Sequence, residues 1–308
     1  MNRTTVDWWA FRTQAQPLAV LEGVRPAFGE LGQHLRLAHR GHGWQGYEQS
    51  ADLVLADMPL GLLAYGGEAQ RGWVHASLTG KACEWITDWD RALEAAESLP
   101  AYDARRVDIA LTTVDGSIRH EEVVDAYRTG GFALGGRPPK CRQILPEDPM
   151  DGRTIYVGQR EHAKFFRGYE KGLELARPFA AKGWDLTTMQ IDGKPVTDMY
   201  RLELELKAKG ADLPADLIER RDQYFAGAYP YLQRVLAVEP EILTLRRERQ
   251  PQLDLAAALA NVRAQYGATL YTALCAYQGD IGAVWGKVCG QDHNRALLAA
   301  GVLLVDHE

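Results

Sequence analysis

Residues 164–171 read Lys-Phe-Phe-Arg-Gly-Tyr-Glu-Lys. As a strand, the period-2 alternation of side chains sets Phe165, Arg167, Tyr169 and Lys171 on one side, and a phenol then stands between two cations. Such a group suits phosphate. The planar Arg fork matches its oxygens, Lys adds a point charge, and nearby positive charge favours the phenolate that a nucleophilic Tyr must become. A surface strand with solvated cations has the same pattern and no chemistry. A helical reading would stripe Arg160, Lys164, Arg167 and Lys171, but Phe165, Phe166, Gly168 and Tyr169 make a poor helix. Tyr156, on a neighbouring predicted strand, is a rival phenol.

Acidic side chains supply a second chemistry. Between Arg201 and Lys207, the residues Leu202, Leu204 and Leu206 alternate with charged ones, so Glu203 and Glu205 share the polar face of a half-buried strand. Asp108 sits within Val-Asp-Ile-Ala-Leu, where an unpaired carboxylate would be costly. Carboxylates projecting from adjacent strands are the ligands that a hard divalent ion such as Mg2+ or Mn2+ takes, with positions left for water and phosphate. Each acid taken singly is as well explained by a solvated sheet face.

Other site types are poorly supported. His39 and His42 are separated by Arg-Gly and lack a third partner at zinc spacing. Cys83, Cys141, Cys275 and Cys289 form no Cys-x-x-Cys pair and read as buried thiols. No Gly-rich loop runs into Lys-Ser or Lys-Thr and no serine-hydrolase elbow occurs, which argues against a phosphate-loop motor and a serine hydrolase.

The elements that must carry these residues follow from periodicity. Strands are expected over 4–12, 60–65, 71–78, 106–112, 154–158, 164–171 and 199–209, with hairpins joining 60–65 to 71–78 and 154–158 to 164–171. Helices are expected over 24–37, 88–98 with Asp88 as cap, 121–129 and 174–182. The Pro- and Gly-rich stretch 135–151 reads as an exposed loop. Beyond Gly210, segments 214–225, 228–237, 253–266 and 292–300 are helical in spacing. The expected architecture is α+β: an antiparallel sheet core with packed helices over residues 1–210, then a mostly helical region over 211–308. The similar element order around 60–130 and 150–209 suggests an internal duplication of the sheet.

Composition sets limits on these readings. The chain has 308 residues, 46% of them hydrophobic and 25% charged, enough to bury a core without cross-links. Its net charge of -6 argues against a protein that coats nucleic acid indiscriminately. The charge is unevenly spread: residues 82–125 hold eleven acids against four bases, and residues 137–171 eight bases against five acids. No signal peptide or run of 18 apolar residues is apparent, which predicts a cytoplasmic protein without membrane contact.

At these segments the chain resembles the replication initiation factor family, the rolling-circle initiators of filamentous phages and small plasmids that form a phosphotyrosine link to DNA. The resemblance spans roughly residues 3–209 and is nearer the filamentous-phage branch. It rests on Val6-Asp7-Trp8, Tyr65-Gly66-Gly67, Ser77-Leu78-Thr79-Gly80 after His75, Arg106-Val107-Asp108, Gly131-Phe132, Thr154-Ile155-Tyr156-Val157-Gly158 with Arg160, Arg167-Gly168-Tyr169-Glu170-Lys171, and Arg201-Leu202-Glu203-Leu204-Glu205-Leu206-Lys207. Their order and spacing together are more specific than any one piece.

The resemblance implies an origin-specific nicking and joining domain over residues 1–210. Tyr169 would be the nucleophile and Arg167 and Lys171 would neutralise phosphate charge. Mg2+ or Mn2+ would sit on Asp108 with Glu203, Glu205 or both, in place of the paired histidines of better-known nickases. The implied products are a 5'-phosphotyrosine and a 3'-hydroxyl primer, made without ATP in a bacterial host's cytoplasm. Implied partners are origin DNA, single-stranded or extruded at the nick, with a host helicase, a polymerase and a second protomer as further candidates. Two other classes compete: a noncatalytic DNA-binding regulator on the same fold, and a metal-dependent nuclease that uses water and leaves no protein attached to the end.

Overall fold

β-Branched and aromatic residues begin the chain and form β1 (Thr5–Thr13). The other strands are β2 (Arg36–His39), β3 (Gln49–Leu55), β4 (Met58–Tyr65), β5 (Val74–Leu78), β6 (Asp103–Thr113), β7 (Cys141–Ile144), β8 (Thr154–Gly158), β9 (Lys164–Tyr169), the two-residue pair β10 (Gln190–Ile191) and β11 (Lys194–Pro195), and β12 (Tyr200–Lys207). The computed structural model describes residues 3–209, 212–243, 251–294 and 297–298. Ten of the strands form one sheet in the order β2-β3-β4-β5-β1-β6-β12-β9-β8-β7, and β10 pairs with β11 apart from it. Every pairing in the large sheet is antiparallel. A four-stranded meander, β2-β3-β4-β5, and a three-stranded one, β7-β8-β9, thus flank the central β1, β6 and β12.

One face of this sheet is the core. Trp9 and Phe11 of β1, Val107 and Ile109 of β6, Phe166 of β9, and Leu202, Leu204 and Leu206 of β12 are buried in a single apolar cluster. It is covered by α1 (Pro17–Val24), α3 (Trp89–Glu97) and α4 (His120–Arg128), and includes Ala82 and Cys83 of the short α2 (Gly80–Trp85). Asp88 caps α3, its carboxylate accepting from the Arg91 N–H. α5 (Lys171–Ala180) packs a smaller cluster of Leu173, Ala176, Leu186 and Val196.

The first compact unit runs from Met1 to Arg246, past the division expected at residue 210. Leu213, Leu217 and Ile218, with α6 (Arg221–Ala228) and α7 (Pro230–Leu236), belong to the main apolar cluster. The buried Asp222 carboxylate accepts from the Arg3 and Thr4 N–H groups at 2.7 and 2.8 Å and from the Thr4 hydroxyl at 2.5 Å, tying α6 to the start of β1. The second unit, Arg247–Glu308, contains α8 (Pro251–Ala276) and α9 (Ile281–Val288). Positions 295–296 and 299–300 of the helix expected at 292–300 lie outside the described residues. Among the described residues no helix is long and apolar enough to cross a membrane.

Four expectations need correction. The helix expected over 24–37 is a 3-10 segment, Arg25–His34, broken at Gly29 (φ 55°, ψ -134°) and followed by β2. The stretch 135–151 is not all loop: Cys141–Ile144 pairs with β8 as an edge strand. The strand expected to reach Lys171 stops at Tyr169, and Lys171 is the first residue of α5. Of the cysteines, only Cys83 is buried; Cys141 is half-buried, and Cys275 and Cys289 are exposed.

Candidate active site

The sheet face opposite the core is polar at its centre, and strand register decides which side chains meet there. Across β6, β12 and β9 the rows run Asp108, Glu205, Phe165, then Ala110, Glu203, Arg167, then Thr112, Arg201, Tyr169. Arg167 and Tyr169 therefore share a face with all three acids singled out in the sequence. Asp108, Glu203 and Glu205 are 2%, 7% and 5% exposed. All three line one cavity of about 260 Å³ together with Asp7, Trp8, Arg106, Arg160, Phe165 and Arg167.

Burying carboxylates requires partners, and the face supplies them as arginines. Arg106, two positions before Asp108 on the same face of β6, donates to both its oxygens at 2.7 and 2.5 Å. The same guanidinium reaches Glu205 at 2.8 Å, and Lys207 is paired with the other Glu205 oxygen. Arg167 pairs with Glu203 at 2.5 Å, and Arg201 with Asp7 at 2.7 Å. Burial pushes the Asp108 carboxyl up to about 7, outweighing the opposing pull of Arg106. Burial pulls the Arg167 guanidinium down, but the Glu203 charge more than offsets it and holds the group above its ordinary range.

Tyr169 is itself buried, at 6% exposure. The Arg167 guanidinium lies 4.5 Å above its ring and the Lys171 ammonium 5.6 Å, so both cations cover the ring. Lys171 does so from the first turn of α5, where it also pairs with Glu174 at 2.5 Å. Burial and the Glu203 charge push the phenol well above its ordinary pKa, against Arg201 and Arg167. In the free protein the phenol is thus protonated, where the sequence pattern had suggested a favoured phenolate. Arg167 Nε is a buried donor with no acceptor among the described residues.

The three acids have the chemistry of a Mg2+ or Mn2+ site, all hard oxygens on rigid strands. Glu205 Oε1, buried and ion-paired to Lys207, accepts no hydrogen bond of ordinary geometry among the described residues. Among the described residues, however, no three carboxylate, imidazole or thiol groups converge closely enough to cage a cation. Arg106 bridges Asp108 and Glu205 and holds their charges with its own. The donors fit such an ion if that guanidinium yields.

Tyr156 lies on the same face, directly across from Arg167 in β9. Its ring stacks on Phe165 at 5.6 Å, with Arg142 over its own face at 5.2 Å. His39 and His42 are far simpler: the His39 ring is hydrogen-bonded to the Tyr65 hydroxyl at 2.8 Å and His42 contacts the Gly43 carbonyl. Sequence reasoning did not place Asp7, Arg106 and Arg201 in the site. The signal for Arg106 and Arg201 was present, since each shares strand parity with a chosen acid. Asp7 is reached only through the irregularity in β1 between Val6 and Trp8, which period-2 counting does not see.

A family model described as replication initiation factor matches residues 103–264, more than half of the chain. The matched segment contains every residue proposed from sequence for the site. The fold is similar to the structure of a rolling circle replication initiator protein from Geobacillus stearothermophilus, with 19% identity and a TM-score of 0.49 over 67% of this chain and 74% of that one. Among curated proteins none matches the sequence.

Proposed function

The chain belongs to the replication initiation factor family, and from that premise we propose that it starts rolling-circle replication by cutting one strand of an origin with Tyr169. The observation that carries this reading is the pairing of that phenol with a buried donor: Arg167 Nε has no acceptor among the described residues, and its guanidinium lies over the Tyr169 ring. An unfilled buried donor costs about 1–3 kcal/mol. A phosphate oxygen would fill it and bring a scissile bond beside the phenol.

In the proposed reaction Tyr169 gives up its proton and its oxygen bonds to phosphorus as the bond from phosphorus to the 3' oxygen breaks. The 3' oxygen takes up a proton and leaves as a hydroxyl, while the phosphate remains on Tyr169 as the 5' ester. One phosphodiester replaces another, so rejoining needs no ATP. Arg167 and Lys171 neutralise charge that builds on the phosphate oxygens. Asp108, Glu203 and Glu205 would hold Mg2+ or Mn2+, which when bound supplies Lewis-acid polarisation of the phosphate. The high pKa of Tyr169 makes loss of its proton the step most in need of help.

The test is nicking of a supercoiled plasmid carrying the origin, in Mg2+ or Mn2+ and in chelator, with the covalent adduct resolved on a denaturing gel and mapped by tryptic digestion. Tyr169→Phe is expected to lose both nick and adduct while still binding DNA; full nicking by that variant refutes the assignment. An adduct lost in Tyr156→Phe and kept in Tyr169→Phe would move the role to Tyr156. Cutting without any adduct would favour a water-using nuclease, and binding without cutting a noncatalytic regulator.

A further inference from the structure

We infer that the cleft beside the proposed nicking site, walled by β7, β8 and β9, holds a flanking nucleotide of single-stranded DNA, its base against Tyr156 and its phosphate on Arg142, Arg160 or Lys140. The inference rests on the reading of the neighbouring cavity as the place of strand cutting.

Three features support it. The first is continuity: Arg160 and Phe165 line both the acid-lined cavity and this cleft, so a strand whose scissile phosphate lies in that cavity, on Arg167, would pass directly into it. The cleft measures about 520 Å³, within the ~300–1,000 Å³ of small-ligand sites.

The second is the lining. Half-buried Tyr156 stacks on Phe165 at 5.6 Å with 21° between the rings, Arg142 lies 5.2 Å over Tyr156, and Arg160 lies 5.4 Å over Phe165. Aromatic faces and guanidinium planes are the surfaces on which bases of any sequence stack. Both arginines are exposed, so either can leave its ring to an arriving base and turn to the phosphate.

The third is charge. On the sheet face next door the arginines are already spoken for by Asp7, Asp108, Glu203 and Glu205. Lys140, Arg142 and Arg160 have no such carboxylate partner among the described residues, although Glu161 also lines the cleft. Cations kept unpaired beside an aromatic face are what a phosphate-linked base requires, and a merely structural Tyr would need neither.

The experiment reads binding without cutting. A fluorescein-labelled oligothymidylate of about twelve nucleotides, within the range of single-strand site sizes, is titrated by fluorescence anisotropy against protein carrying Tyr169→Phe, in chelator. In that background Tyr156→Ala is expected to weaken binding at least about fivefold and Tyr156→Phe to restore it to within about twofold, since stacking needs the ring and not the hydroxyl. Arg142→Ala, on the exposed edge strand, should lower the slope of log affinity against log salt by about one. With the Tyr156 ring intact, 5-iododeoxyuridine placed along the same oligonucleotide should photocrosslink to Tyr156 from one position. Binding by Tyr156→Ala within about twofold of its parent, or crosslinks mapping elsewhere, would overturn the inference. Because cutting is blocked, these outcomes are independent of the nicking assay: nicking by Tyr169→Phe would end the tyrosine mechanism and leave this cleft's binding result standing.

Discussion

Asp108→Asn should make the protein more stable at neutral pH while removing a proposed metal ligand. Asp108 is 2% exposed, and burial raises its carboxyl from 3.8 to about 7 even with Arg106 bound to both oxygens. The sign follows from linkage. The folded state holds this proton over a pH range where the unfolded chain has lost it, so stability falls as pH rises from about 4 to about 7. Each pKa unit is worth about 1.4 kcal/mol, which makes the full penalty above that window about 4 kcal/mol. Asparagine keeps the shape and carries no charge, but its amide nitrogen cannot accept the second Arg106 hydrogen bond, which returns about 1–2 kcal/mol. Arg106 itself remains paired with Glu205. The expected net gain is therefore about 2–3 kcal/mol at about pH 8, shrinking to nothing or to a small loss at about pH 4. Urea denaturation of both proteins at the two pH values, followed through the unit's tryptophans, measures the difference directly. A variant that is less stable than the parent at both values, with an unchanged pH dependence, would refute the argument, because it would mean that the ion pair outweighs the desolvation of the carboxylate.

Two further predictions concern the frame around the site. A Cβ on Gly172 would lie 1.9 Å from the Val196 carbonyl oxygen and 2.7 Å from its carbon, so Gly172→Ala must push the start of α5, and Lys171 with it, away from the sheet; a loss of at least about 2 kcal/mol is expected in thermal unfolding, and an unchanged melting temperature would contradict it. A chain ending at Lys209 would lack the core residues Leu213, Leu217, Phe225, Leu232 and Leu236 and the Asp222 anchor of β1, and is expected to lose cooperative unfolding, whereas a chain ending at Arg246 should keep it, as read by circular dichroism on heating.

How much of this was legible in sequence depended on whether local pattern or distant packing set each feature. β12 announced itself, since Leu202, Leu204 and Leu206 alternate with charges and only one face is apolar. β1 and the α3 cap were readable from other local signals, the β-branched and aromatic residues of the one and Asp88 ahead of strong helix formers in the other. β2 and β3 were not, because Gln49–Leu55 has the burial pattern of a strand covered on most of both faces, with little alternation to detect. The four residues of β7 carry no apolar face, and only pairing with β8 makes them a strand. The division near 210 followed a true change from strands to helices, but a change of secondary structure is not a change of core. Within the site the register of β9 on β12 sets one face for both pairs, whereas strand parity gave only Arg167 with Tyr169 and Glu203 with Glu205. It could not give the partners, because Arg106 meets Glu205, and Arg201 meets Asp7, only across strands far apart in the chain.

Those partners change what the net charge of -6 means. On the proposed catalytic face Asp7, Asp108, Glu203 and Glu205 are matched by Arg106, Arg167, Arg201 and Lys207, so the centre of the sheet is close to neutral and dense in both signs. Such a surface has little reach for DNA at a distance, where only net charge is felt. It can nevertheless exchange pairs at contact. A phosphate that takes Arg106 or Arg167 leaves a buried carboxylate behind, and a buried charge stripped of its partner costs about 3–5 kcal/mol. That cost is relieved when a divalent cation is available to the freed carboxylates, so on this reading phosphate and cation each make the site more receptive to the other. On the same reading the cations of the β7 and β8 cleft, which have no carboxylate partner among the described residues, complete the arrangement by providing the first hold on the strand where no acid has to be displaced.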